Sequence, residues 1–284
     1  MSKKIIALLT ALLLILSLSA CAKTGQTSDN EQNETTLPVT TEPETEPVTR
    51  KEADKRAAYI YDMYPDFTPV NYDSPALLPE SEPADESYLK DTVFLCDSPL
   101  YWLGPEGFVD MTQIWTGPEG TQTLAYQSSY EILDRYDNVE RPIRDVVEIH
   151  KPARMIITMG INGLGFMSEE EFKAEYKDLV EDIQKLSPET DLILQSILPM
   201  SPAMFKWSTA DVDNVKITRA NRLILEVAEE TGCKYLDTFS VLIGENGYGI
   251  DSLLKDGLHP NTEGLQLVVD YINTHAHTDD PEFG

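Results

Sequence analysis

The feature that most restricts the fold of this chain is an alternation, from Tyr88 onward, of short apolar runs with segments whose apolar residues recur at helical spacing. The runs are Thr92 to Cys96, Val109 to Trp115, Arg154 to Met159, Asp191 to Ile197 and Lys234 to Asp237. Short, nearly continuous apolar runs suit strands covered on both faces, and the segments between them supply the cover. Phe172, Tyr176, Leu179, Val180, Ile183 and Leu186 form one such stripe, with a capping-box pattern of Ser168 and Glu171 ahead of it. A second stripe, Ile217, Ala220, Leu223, Ile224 and Val227, stops at Gly232. A third runs from Thr262 to Asn273, and a shorter helix is expected over Arg141 to Ile149 with Pro142 near its first turn. The expected fold is therefore α/β: a three-layer α/β/α sandwich around a central five-stranded parallel sheet.

The segment before this pattern has a different physical character. Met1 to Lys4 is basic and Ile5 to Leu18 is apolar, the layout of a secretory signal over residues 1–20. The apolar run is shorter than the about 20 residues a transmembrane helix needs. It ends in Leu18-Ser19-Ala20-Cys21, which resembles the lipobox of bacterial lipoproteins. That resemblance implies a lipid on Cys21 and a membrane partner through it. Residues 21–50, rich in Thr, Glu, Pro, Asn and Gln, bury too little apolar surface to offset ordering and read as a flexible stalk. Residues 51–87 read as an extended lead-in lying on the domain, 88–277 as the domain, and 278–284 as a tail.

Composition narrows the functions open to the chain. A net charge of −27 and a pI near 4.3 disfavour nucleic acid as a partner, because phosphate binding needs clustered Lys and Arg. Beyond Cys21 only Cys96 and Cys233 remain, so stability is expected from a packed core rather than a disulfide framework. The chain has no His-Glu-x-x-His and no Cys-x-x-Cys, and neither a metal nor a cofactor is implied.

In a parallel sheet, ligands collect beyond the carboxyl ends of the strands, so chemistry is sought just after each run. Ser98 follows the first run, where helix-initial backbone amides face a developing negative charge; it reads equally well as a helix N-cap ahead of Pro99. A serine nucleophile needs a base, usually a His oriented by a carboxylate. His150 sits at a helix end, and His275 and His277 read as part of a polar tail. His259 alone lies in a turn-rich loop, Asp256-Gly257-Leu258-His259, whose spacing lets one tight turn present both side chains. Met159-Gly160-Ile161-Asn162 follows the third run and supplies an amide able to donate to an oxyanion, or an Asx turn closing a loop. Asp97, Tyr101, Trp102 and, on the loop from Pro199 to Asn214, Phe205 and Trp207 are candidates to line a substrate site; simple packing under a loop is the competing role for each.

Together these segments resemble the SGNH, or GDSL-like, hydrolase family. Its blocks appear here as Asp97-Ser98, Gly117, Gly160-Ile161-Asn162 and Asp256-Gly257-Leu258-His259. The resemblance covers Tyr88 to His275 and implies Ser98 as nucleophile, His259 as general base then acid, and Asp256 as the orienting carboxylate. It implies an oxyanion hole from the Ser98 amide, the Gly117 amide and the Asn162 side chain, with Gly120 as the alternative to Gly117. Two positions depart from the family pattern: Cys96 stands where a Gly precedes Asp-Ser, and Gly163 follows Asn162 where many members have Asp. If that first Gly is needed for its backbone freedom, Cys96 strains the nucleophile turn. The implied activity is that of a serine esterase on acylated small molecules or glycans outside the cytoplasm. A glycan-binding or scaffold module weakened at Cys96, and a solute-binding lipoprotein, are the alternatives.

Overall fold

The computed structural model describes residues 73–124, 131–204 and 212–278. The expected signal, Cys21 with its stalk, Phe205 and Trp207 lie outside the described residues. Beyond a short helix α1 (Glu86–Lys90), strand β1 (Thr92–Cys96) leads into helix α2 (Ser98–Tyr101). Strand β2 (Ile114–Trp115) follows, then a hairpin of β3 (Glu131–Asp134) and β4 (Val139–Pro142), which feeds helix α3 (Ile143–His150). The remainder alternates: β5 (Arg154–Thr158), α4 (Glu169–Leu186), β6 (Asp191–Gln195), α5 (Asn214–Thr231), β7 (Lys234–Leu236), α6 (Phe239–Leu242) and α7 (Thr262–Thr274).

The sheet is five-stranded and parallel, in the order β2-β1-β5-β6-β7. With the hairpin set aside this is the doubly wound flavodoxin-like arrangement. Side chains alternate across it. Val93, Leu95, Met155, Ile157, Leu192 and Leu194 join Val146, Tyr176 and Ile224 in one core, under α3, α4 and α5. Phe94, Cys96, Ile156, Ile193 and Leu236 join Leu100, Val241, Leu265 and Ile272 in the other, under α2, α6 and α7. The capping box at Ser168 and Glu171 and the left-handed Gly232 stand where the pattern places them.

Three expectations are corrected. The second run does not form a strand from Val109: the Asp110 carboxylate caps a 3-10 turn over Met111–Gln113, and Gln113 reaches back to the Asp110 N–H, so pairing starts only at Ile114. The hairpin was not expected, because its four-residue strands carry Glu, Asp, Arg and Pro in place of an apolar run. The lead-in is extended where it is described, with Leu77 bridging Tyr235 beside β7, but it closes in α1 rather than running extended to the domain.

His275 and His277 do not belong to a polar tail. His275 is buried and stacks on Tyr271, with ring centroids 3.7 Å apart. His277 Nδ1 lies 2.7 Å from Asp191 Oδ1 at the start of β6, and Arg154 Nε donates to Asp191 Oδ2 at 3.0 Å. Burial pushes the Asp191 carboxyl up, but His277 and Arg154 outweigh it and hold the group below its ordinary value. Its stabilising contribution is therefore complete above the unfolded pKa of about 3.9 and is lost as pH falls through the lower folded value. Asp191→Asn is expected to lower stability by about 1–3 kcal/mol near neutral pH. The gap between urea melts of the two proteins should close as pH falls through the lowered folded value; a gap that persists in strong acid would assign the loss to packing instead.

Candidate active site

The order of the sheet decides where the site lies. From β1 the chain moves outward to β2 and then returns to place β5 on the other side of β1, so the loops after β1 and β5 diverge and leave a crevice between them. The first carries Asp97-Ser98 and the second carries Gly160-Ile161-Asn162.

Asp97 holds the two loops together. Its N–H continues the ladder to the Thr158 carbonyl at 3.1 Å, and its Oδ2 accepts from the N–H groups of Gly160 and Ile161, each at 3.1 Å. The residue is only 2% exposed, so the expectation that Asp97 lines a substrate site is corrected: it supports the site from below. Burial pushes its carboxyl up to about 7, against the pull of the Ile161 and Gly160 amides. Gly160 adopts φ +128°, and a Cβ there would meet the Phe172 ring at 2.7 Å, so both the turn and the packing require glycine.

Ser98 begins α2 with Pro99 behind it, a pairing that fixes the first turn. Its hydroxyl lies 2.9 Å from His259 Nε2, although the two residues are 161 positions apart. His259 Nδ1 lies 2.7 Å from Asp256 Oδ2, while Asp256 Oδ1 accepts from the N–H groups of Leu258 at 3.0 Å and His259 at 2.9 Å. With Nδ1–H donated to the carboxylate, the Nε2 lone pair faces the Ser98 O–H. Burial raises the Asp256 carboxyl, but hydrogen bonds from the His259 backbone and ring and the Leu258 N–H bring it below its ordinary value. The group is ionised at neutral pH and able to stabilise an imidazolium.

The loop carrying this pair is closed at its base. Lys255 N–H donates to the His259 carbonyl at 2.7 Å, and Asn261 N–H to the Leu253 carbonyl at 2.9 Å. Gly257 takes φ +92° against the Ser201–Met204 backbone, where a Cβ would stand 2.4 Å from the Met204 nitrogen. Lys255 pairs with Glu106 at 2.9 Å and lies 3.9 Å over the Trp102 ring, and Thr262 donates to the same Glu106 at 2.7 Å. Trp102 is thus covered by Lys255 and braces the loop to helix α2. Tyr101 packs its ring against Gly120.

The expected oxyanion donors are engaged within the protein. Gly117 N–H donates to the Thr121 carbonyl at 3.1 Å, and Gly120 N–H to the Gly117 carbonyl at 3.0 Å. Asn162 Nδ2 donates to Thr121 Oγ1 at 3.0 Å and to the Gln122 carbonyl at 2.6 Å. Neither glycine offers a free N–H in this arrangement, which corrects the expected roles of Gly117 and Gly120. The Ser98 amide stands at the N-terminus of α2. Thr121 and Gln122 were not anticipated; they stand about forty residues before Asn162, and nothing in their local pattern marks the contact. No group of His, Cys, Asp and Glu able to hold a metal ion occurs among the described residues.

Cys96 does not strain the turn. It is the last residue of β1, paired in register with Thr158, and the described non-glycine residues with positive φ are Asn138 and Lys151. The side chain is fully buried in the core under α2, and burial pushes its thiol far up. Cys96→Gly is expected to cost about 1–3 kcal/mol, from a cavity and a looser strand. Thermal melts would register this; the architecture around Ser98 should be retained, and a melting temperature equal to or above that of the parent would contradict the packing role.

The profile of the GDSL-like Lipase/Acylhydrolase family matches residues 113–267, a span that takes in Asn162, Asp256 and His259 and begins after Ser98. The chain belongs to this family. Among solved structures it is similar to a GDSL-like lipase from Bacteroides thetaiotaomicron VPI-5482, at 19% identity, with 67% of this chain and 89% of that one covered and a TM-score of 0.45. It is also similar to a carbohydrate esterase family 3 protein from Talaromyces cellulolyticus, at 20% identity, with 64% and 93% covered and a TM-score of 0.43. No curated protein matches the chain.

Proposed function

We propose that the protein is a serine esterase that works through an acyl-enzyme on Ser98. The observation that carries this reading is the unbroken relay from Ser98 Oγ through His259 to the Asp256 carboxylate, at 2.9 and 2.7 Å. Ser98 Oγ adds to the ester carbonyl while its proton passes to His259 Nε2, leaving an oxyanion near the Ser98 N–H. The imidazolium, stabilised by Asp256, then gives that proton to the departing alcohol oxygen as the C–O bond breaks. A water repeats the addition with His259 as base, the acid leaves, and Ser98 regains its proton. Asn162 joins the oxyanion hole when the substrate draws its amide from Thr121 and Gln122; each such donor is worth about 10² to 10³ in rate.

In the same reading the protein is held to the cell membrane by a lipid on Cys21, faces outward, and removes acetyl or other small acyl groups from an envelope or environmental glycan. The supports are the leader and lipobox pattern before Cys21 and the polar composition of residues 21–50.

Hydrolysis of 4-nitrophenyl acetate by the folded domain is expected to fall by about 10⁴-fold or more in Ser98→Ala. Equal, near-zero rates in both proteins, on this ester and on an acetylated glycan, would reject the esterase reading. Separately, Cys21→Ser is expected to move the protein from the membrane fraction to the medium, and unchanged membrane association would reject the lipid tether.

A further inference from the structure

Arg135 stands immediately after β3 and turns back toward the nucleophile helix. Its Nη1 donates to the Ile114 carbonyl of β2 at 2.6 Å, and its guanidinium carbon lies 5.9 Å from the centre of the Tyr101 ring. Tyr101 belongs to the single turn of α2 that Ser98 begins, and its ring also touches Gly120 in the turn after β2. The hairpin thereby delivers one partly buried cation to the β2 side of the nucleophile.

That cation has no carboxylate. The two nearest acids in sequence are taken by other partners. Asp134 Oδ2 accepts from Arg141 at 3.0 Å and lies 2.9 Å from His150, and Asp137 receives Arg141 at 2.7 and 2.5 Å. The chain has 49 acidic residues against 22 Lys and Arg, yet Arg135, which is partly buried, makes no ion pair among the described residues. Holding it partly buried costs free energy that one bond to a neutral carbonyl does not offset. A tie to Ile114 alone would need a donor and no charge. Among the described residues the rest of the guanidinium fork has no hydrogen-bond partner, and its geometry matches a carboxylate.

We infer that Arg135 is a specificity-determining residue that receives a single carboxylate carried by the ester substrate, with Tyr101 holding the guanidinium in place. This rests on the esterase reading above and narrows its substrate class to mono-anionic esters. The surrounding negative charge repels extended polyanions while this local site accepts one acidic group. The carboxylate belongs either to the acyl part, as in a dicarboxylic half-ester, or to the alcohol part, as in an acylated uronate.

The test measures kcat and KM on two matched ester pairs. 4-Nitrophenyl hydrogen succinate against 4-nitrophenyl butanoate places the charge on the acyl side, and 4-acetoxybenzoate against phenyl acetate places it on the leaving group. The parent enzyme should prefer the anionic member of one pair, which identifies the side. Arg135→Gln should lose about 10- to 100-fold in kcat/KM on that ester, chiefly through KM. Its effect on the neutral ester should stay within about twofold, and Arg135→Lys should recover part of the loss. Equal losses on charged and neutral esters, or no anionic preference in the parent, would overturn the proposal. If the parent hydrolyses no ester, the esterase reading fails by itself. Calorimetric binding of monomethyl succinate then decides for Arg135: weaker binding in Arg135→Gln supports it, and equal binding overturns it.

Discussion

A buried carboxylate joins the two halves of the site. Asp97 leaves β1 with its backbone still paired to β5 and its side chain accepting from the Gly160 and Ile161 amides of the loop beyond β5. These are the loops that the strand order would otherwise let diverge. The clamp closes the floor of the crevice, sets Ser98 at the start of α2, and sets Asn162 on the facing loop. An aspartate with water around it would do none of this; the same group at 2% exposure must keep its bonds, since a buried acceptor without donors is costly. The family pattern's Asp before Ser thus has a structural reading here.

The Asp256–His259 pair comes from a loop that is almost self-contained. Asp256 uses one oxygen to hold the backbone of its own turn and the other to hold the imidazole, so the geometry of the turn and the orientation of His259 are one arrangement. Its distance from Ser98 is set elsewhere. Gly257 leans on the Ser201–Met204 backbone, and Lys255 bridges to Glu106 and Trp102 on the Ser98 side. Trp102 serves this bracing, and Tyr101, on the turn that Ser98 begins, lies between Gly120 and Arg135.

Cys96 shows how a motif position can carry two meanings. Glycine is tolerated in any conformation, so a family glycine invites the inference of a special backbone angle. Here the residue is an ordinary strand end facing a core that has room for a thiol, so the substitution changes packing rather than chemistry. The oxyanion donors make the converse point. Gly117 and Asn162 have the residue types that the chemistry asks for, and their amides are engaged by Thr121 and Gln122 in this arrangement.

Local patterning fixed the parallel sheet, the major helices and their caps. Apolar periodicity and capping residues act over a few positions, and the resulting elements pack in few ways. The Asp256–His259 pair was legible for the same reason, since its geometry closes within one turn. The hairpin was not legible, because four-residue strands held by Asp134, Arg141 and His150 carry no apolar run. Nor were the contacts that span the chain: Asn162 to Thr121, Lys255 to Glu106, or Arg135 to Ile114 and Tyr101. These are side-chain meetings between distant segments, and no spacing rule connects residues whose proximity exists only once the sheet has been wound. The sequence by itself determined which residues could do chemistry, through type and local turn. The tertiary structure decided which of them meet, because the strand order alone sets the loops that share the crevice.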